Sequence, residues 1–144
     1  MQRLVLVSLL AAALSASAAG CSRDRATTEL ASAERAPVTV PAVSVAELDR
    51  MLADHQCQAV DANGDVTRRR MGVIPGAVLL RDLDAVDQLP ADKTRHLVFY
   101  CANAACTASH EAAERALTAG YQHVHVLPDG IAGWVKAGKA TSSI

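Results

Sequence analysis

Two cysteines, Cys101 and Cys106, stand five residues apart with only the small residues Ala102, Asn103, Ala104 and Ala105 between them, and Thr107 follows. Thiols so placed can do nucleophilic or redox chemistry, because the thiolate attacks sulfur and carbon centres and a neighbouring thiol can capture the product. What comes before and after decides whether the chemistry is available. Residues 97–100, Leu-Val-Phe-Tyr, form an apolar run after the polar turn 92–95, and this pattern predicts a buried strand ending at Cys101. Residues 109–119 are rich in alanine and glutamate behind a hydroxyl residue, which predicts a helix. Strand, tight loop and helix N-terminus therefore succeed one another. Backbone N–H groups of such a loop carry partial positive charge and stabilise an anion, so Cys101 is expected to be a thiolate nucleophile with a lowered pKa.

Cys106 has two readings. Outside the cytoplasm two nearby thiols oxidise readily, and Cys106 would then be a redox partner that bridges Cys101 or resolves a persulfide or sulfenate on it. Bridging requires α-carbons closer than about 7 Å. Otherwise Cys106 is a small residue lining the loop. His110, near the first turn of the helix, is a possible accessory group acting as a neutral donor, or else an exposed helix residue.

The remaining elements alternate strand and helix. Strands are expected at 43–45, 58–61, 77–80, 97–100 and 123–127, and helices at 46–54, 109–119 and 131–137. Asn63-Gly64-Asp65 reads as a turn, and Gly72 to Gly76 as a rigid Pro-Gly turn. Alternation of this kind predicts an α/β fold with a central, mostly parallel five-stranded sheet and helices on both faces. Ligands in such sheets sit beyond the carboxyl ends of strands, which is where Cys101 falls. Cys57 begins its strand whereas Cys101 ends one, so a bridge between them is not expected and Cys57 reads as a buried hydrophobe. His123 and His125 share one strand face, but two imidazoles do not define a metal site, and none is assigned. Trp134, with Ile131 and Val135, reads as core under the last helix.

The formal net charge is −1, both signs are mixed throughout, and Arg68-Arg69-Arg70 reads as a solvated loop, so no nucleic-acid partner is expected. Residues 1–20 carry a basic residue, an apolar run at 4–14 and a small-residue stretch, the order of a secretory signal too short to span a bilayer. Ala18-Ala19-Gly20-Cys21 resembles a bacterial lipobox, which implies lipidation of Cys21. Ser22 after it resembles the outer-membrane class of Gram-negative lipoproteins. The expected organisation is a lipoprotein-type signal peptide at 1–20, lipidated Cys21 and a flexible tether at 21–41, and one domain at 42–144. The expected location is the periplasmic side of a bacterial cell envelope.

Five ordered pieces give the domain a family resemblance: Val60-Asp61; Gly72-Val73-Ile74-Pro75-Gly76-Ala77; Val98-Phe99-Tyr100-Cys101; Ala112-Ala113 with Leu117 and Gly120-Tyr121; and Asp129-Gly130-Ile131 with Trp134 and Ala137-Gly138. In this order they resemble a single-domain rhodanese. The resemblance implies a sulfurtransferase in which Cys101 carries a persulfide. The backbone of Ala102, Asn103, Ala104, Ala105, Cys106 and Thr107 would cradle a small sulfur-donor anion or persulfide, and a thiol or other thiophilic acceptor would take the sulfur. No cofactor is implied. Three features depart from the family pattern: the loop lacks Lys or Arg, Asn63 stands near a usual Arg, and Val73 stands at a usual His. The missing loop cation speaks against phosphoryl chemistry. An extracytoplasmic dithiol redox protein using Cys101 and Cys106, and a noncatalytic binding module, are the alternative readings.

Overall fold

The structure is a computed structural model that describes residues 39–144. The expected signal, Cys21 and most of the tether lie outside the described residues. Helix α1 (Val45–Ala53) starts where Ser44 and Glu47 close a reciprocal capping box, the Ser44 N–H donating to Glu47 Oε2 at 2.8 Å and the Glu47 N–H to Ser44 Oγ at 3.3 Å. Strand β1 (Cys57–Asp61) follows, then helix α2 (Asp65–Met71), the short strand β2 (Val78–Leu79) and a 3₁₀ turn at Val86–Gln88. Strand β3 (His96–Tyr100), helix α3 (Ala108–Thr118), strand β4 (Val124–Leu127) and helix α4 (Gly130–Lys136) complete the chain.

The strands form one parallel sheet in the order β2-β1-β3-β4. It has four strands, not the expected five. At the position expected for the first strand only Ala42 bridges Val126, flanked by the Val43 N–H on the Val126 carbonyl and the Val126 N–H on the Pro41 carbonyl. Pro41 has no N–H to extend that pairing, and the Ser44 cap turns the chain into α1 immediately afterwards.

Alternation along β3 divides the core. Leu97 and Phe99 face a cluster with Val60, Val124, Val126 and the helix α3 alanines Ala112, Ala113 and Ala116. Val98 and Tyr100 face the other cluster, with Leu48, Ile74, Leu127, Ile131 and Trp134 from the opposite side. Helices thus cover both faces, as parallel sheets require. The small α3 side chains let that helix lie close to β3 and β4. Trp134 and Ile131 are buried as expected, whereas Val135 is exposed.

Helix α2 replaces the expected turn and solvated loop. Its sequence, DVTRRRM, has no apolar stripe to announce it. Arg68 is buried instead of solvated, donating Nε to Asp61 Oδ1 at 3.2 Å and Nη2 to the carbonyls of Asp61 at 3.1 Å and Leu80 at 2.8 Å. One guanidinium thereby joins the ends of β1 and β2 beneath the helix. Arg69 and Arg70 remain exposed.

Candidate active site

The register aligns Asp61 with Tyr100, and Tyr100 with Leu127, so the carboxyl ends of the three longest strands form one edge. Cys101 leaves β3 at that edge and is 1% exposed. Tyr100, immediately before it, is buried and accepts the Ile74 N–H on its hydroxyl at 3.0 Å, which ties the Pro-Gly turn to the strand end. Burial, aggravated by the nearby Asp61 carboxylate, pushes the Tyr100 phenol well above its ordinary range and keeps it neutral.

The loop from Cys101 to Thr107 folds on itself through Asn103. Its carbonyl accepts the Cys106 N–H at 3.0 Å, and its Oδ1 accepts the Ala105 N–H at 3.0 Å. Two of the expected cradle donors are therefore occupied within the loop. The start of α4 holds the loop from outside: the Ile131 N–H donates to the Cys101 carbonyl at 2.9 Å and the Ala132 N–H to the Ala102 carbonyl at 3.0 Å. These are first-turn donors that the helix itself leaves unpaired. Gly130 makes the approach possible. It has φ +59°, and a Cβ there would lie 2.5 Å from the Cys101 oxygen and 2.8 Å from the Asn103 nitrogen.

The Cys101 sulfur lies 3.2 Å from the Cys106 carbonyl, to which the thiol donates, and 3.3 Å from Ser109 Oγ. Burial pushes the Cys101 thiol up, and its hydrogen bond to Cys106 adds to that, while the Ser109 hydroxyl and N–H oppose it. The expected depressed pKa belongs to its neighbour instead. Burial raises the Cys106 thiol too, but hydrogen bonds from the Cys101 thiol and from the Ala102 and Ala108 N–H groups outweigh it and leave Cys106 below the ordinary thiol range. Cys106 is part-exposed and Cys101 is buried. Both thiols are free.

The first turn of α3 also differs from expectation. Thr107, not Ser109, occupies the helix-start position, its hydroxyl donating to Glu111 Oε1 at 2.9 Å. Ser109 lies inside the turn, buried, facing Cys101. His110 is exposed, and the hydroxyl that contacts the Cys101 sulfur is that of Ser109. Beside the loop, Ser44, Asn103, Ala104, Asp129 and Lys136 line an open cavity of about 660 Å³.

At the opposite end of the sheet, Cys57 is buried and free, as expected, with burial raising its thiol. His96 joins the two histidines singled out from sequence: its ring stacks on His123 at a centroid distance of 4.4 Å and lies 6.0 Å from His125. Among the described residues no group of three His, Cys, Asp or Glu side chains is arranged to hold a metal.

A rhodanese-like domain model matches residues 44–137, which span every strand and helix described above. The chain belongs to the rhodanese-like family. Among solved structures it is similar to the Alr3790 protein from Anabaena sp., with 25% identity, a TM-score of 0.62, and coverage of 71% of this chain and 80% of that one. It also shares its fold with thiosulfate sulfurtransferase from Pseudomonas aeruginosa, at 23% identity and TM-score 0.61, covering 72% of this chain and 20% of that one. The human single-domain sulfurtransferase has the same fold, at 21% identity and TM-score 0.57, covering 68% of this chain and 97% of that one. No curated protein matches the chain. Within this rhodanese-like fold, sequence reasoning missed Ser109, Gly130 and Arg68. Gly130 had a signal in the Asp-Gly pair that precedes an apolar helical pattern, and Ser109 had one in its position eight residues after Cys101, a turn into the helix.

Proposed function

We propose that the protein is a sulfurtransferase that carries a sulfane sulfur as a persulfide on Cys101. The observation that carries this reading is the placement of Cys101, a free thiol at the end of β3 on a loop closed by α4 and contacted by Ser109. Two of the similar structures bear the name sulfurtransferase, which supports the same class.

In this reading Cys101 gives up its proton to solvent as the donor binds, and the Ser109 hydroxyl, 3.3 Å from the sulfur, holds the thiolate that results. That thiolate attacks the sulfane sulfur of a donor anion or persulfide. The donor's S–S bond breaks, sulfite or a thiolate departs with the electron pair, and Cys101 becomes a persulfide. An acceptor thiolate then takes the outer sulfur and returns Cys101 to the thiolate. Lacking a loop cation, the site holds the developing charge with backbone dipoles, and Lys136 lines the neighbouring cavity. The proposal places this domain on the periplasmic side of a bacterial envelope, held by lipid on Cys21. Thiocyanate formation from thiosulfate or polysulfide with cyanide tests the activity: the wild type should turn over and Cys101→Ser should not. Equal turnover by Cys101→Ser would end the assignment.

A further inference from the structure

The sulfurtransferase reading leaves one group unexplained, a second thiol inside the persulfide loop. Cys106 is free and part-exposed, and its backbone is fixed against the first sulfur. The Cys101 sulfur is 3.2 Å from the Cys106 carbonyl oxygen, and covalent geometry then puts the Cys106 α-carbon within about 6 Å of that sulfur. The Asn103 turn holds it there through the Cys106 N–H at 3.0 Å. Both side chains stem from one short loop, with only Ala102, Asn103, Ala104 and Ala105 between them. The inner sulfur of a Cys101 persulfide is thus within side-chain reach of Cys106.

We propose that Cys106 is a resolving cysteine that discharges the Cys101 persulfide as hydrosulfide, closing a Cys101–Cys106 disulfide that a dithiol reductant reopens. The proposal rests on the Cys101 persulfide of the preceding reading. The step balances without an external oxidant. The Cys106 thiolate attacks Cys101 Sγ, the bond between Sγ and the outer sulfur breaks, and its electron pair leaves on the outer sulfur as HS⁻. The two cysteine sulfurs are oxidised together by two electrons, and the sulfane sulfur is reduced to sulfide. A dithiol then exchanges with the disulfide, ends as its own disulfide and restores both cysteines.

Proximity favours this route. A fixed intramolecular nucleophile competes as if present at concentrations of ~10⁵ M or more when well oriented, far above any free thiol. Only small side chains separate the two cysteines, and the loop is tied down at Asn103 and at its first two carbonyls, which keeps both on one short segment. The functional consequence is a change of product class: in place of a sulfur-carrying acceptor, the protein yields free sulfide and consumes dithiol.

The experiment uses the reduced full-length protein, exposed without air to polysulfide, desalted, and left without added thiol while sulfide is measured. Samples are trapped with an alkylating agent, and the peptide containing both cysteines is weighed without reduction. The wild type should release about one equivalent of sulfide as that peptide loses two hydrogens, and Cys106→Ser should retain the extra sulfur on Cys101 and release sulfide ~10-fold more slowly or worse. A wild-type peptide that keeps its persulfide with no disulfide overturns the resolving role and leaves the sulfurtransferase reading standing. An extra sulfur found on Cys106 likewise overturns it, because the outer and not the inner sulfur was attacked. Failure of both proteins to take up sulfur removes the persulfide itself, and with it both readings.

Discussion

Replacing Arg68 with methionine tests whether the buried guanidinium holds the ends of β1 and β2 together. The side chain keeps its length and apolar bulk but loses four hydrogen bonds, those to Asp61 Oδ1, the Asp61 carbonyl, the Leu80 carbonyl and, at 3.5 Å, the exposed Asp65 Oδ1. Asp61 is 0% exposed, its Oδ2 has no partner, and Oδ1 would keep only the Asn63 N–H at 2.7 Å. Breaking a buried pair by removing one partner typically costs about 3–5 kcal/mol, since a desolvated charge is left behind. A domain of this size is stable by only about 5–15 kcal/mol, so the variant should lose a large share of its stability. At about 4–8 °C per kcal/mol, the melting midpoint should fall by more than ~10 °C. Urea denaturation followed by circular dichroism measures the loss. The control is Arg69→Met, which removes a 3.8 Å pair with Asp65 between side chains more than 60% exposed and should cost under about 1 kcal/mol. Adding Asp61→Asn to Arg68→Met should recover part of the loss. Equal midpoints for Arg68→Met and Arg69→Met would refute the reasoning.

Three further outcomes follow from the same geometry. Gly130→Ala should cost about 1–2 kcal/mol from its left-handed backbone alone and more from the overlap with the loop, and it should slow sulfur loading. Gly138→Ala, with φ +73° and open space at the Cβ position, should show the backbone cost without the loading defect. Alkylation of the resting protein should mark Cys106 before Cys101, and the Cys106 rate should rise at a lower pH than that of an ordinary thiol, because its thiolate persists there. Equal labelling of the two would contradict this. His125 has its protonation disfavoured by burial and by His96 and His123, so the folded pKa lies below the ordinary 6.5. The stability it permits is present above 6.5 and is lost as pH falls through the folded value, so urea midpoints should decline on acidification, less steeply in His125→Gln.

Much of this architecture was legible because hydrophobic pattern and local capping agree along the chain. The 97–100 run became β3 with its alternate faces buried, and the alanine-rich segment after it became α3. The first strand failed as an expectation because a Pro at 41 and a capping serine at 44 leave room for a single bridge, a boundary that apolar content at 43–45 conceals. Helix α2 was hidden for a different reason. Its stability comes from one arginine reaching residues seven and twelve positions away, a tertiary contact with no trace in the local pattern. The site shows the same division. Cys101 and its loop were read directly from strand, small residues and helix, whereas the upward shift of the Cys101 thiol and the downward shift of Cys106 depend on burial and on the groups each sulfur meets. Those are facts of three-dimensional arrangement, as is the contact of Gly130 with the loop from the far end of the domain.

The central claim is the persulfide on Cys101, and the direct measurement is peptide-level mass spectrometry of the full-length Cys106→Ser variant, reduced, desalted and exposed to polysulfide without air. The account predicts one added sulfur on the peptide at Cys101, removed by cyanide. An unmodified Cys101, with the donor still competent to load a low-molecular-weight thiol, would contradict it.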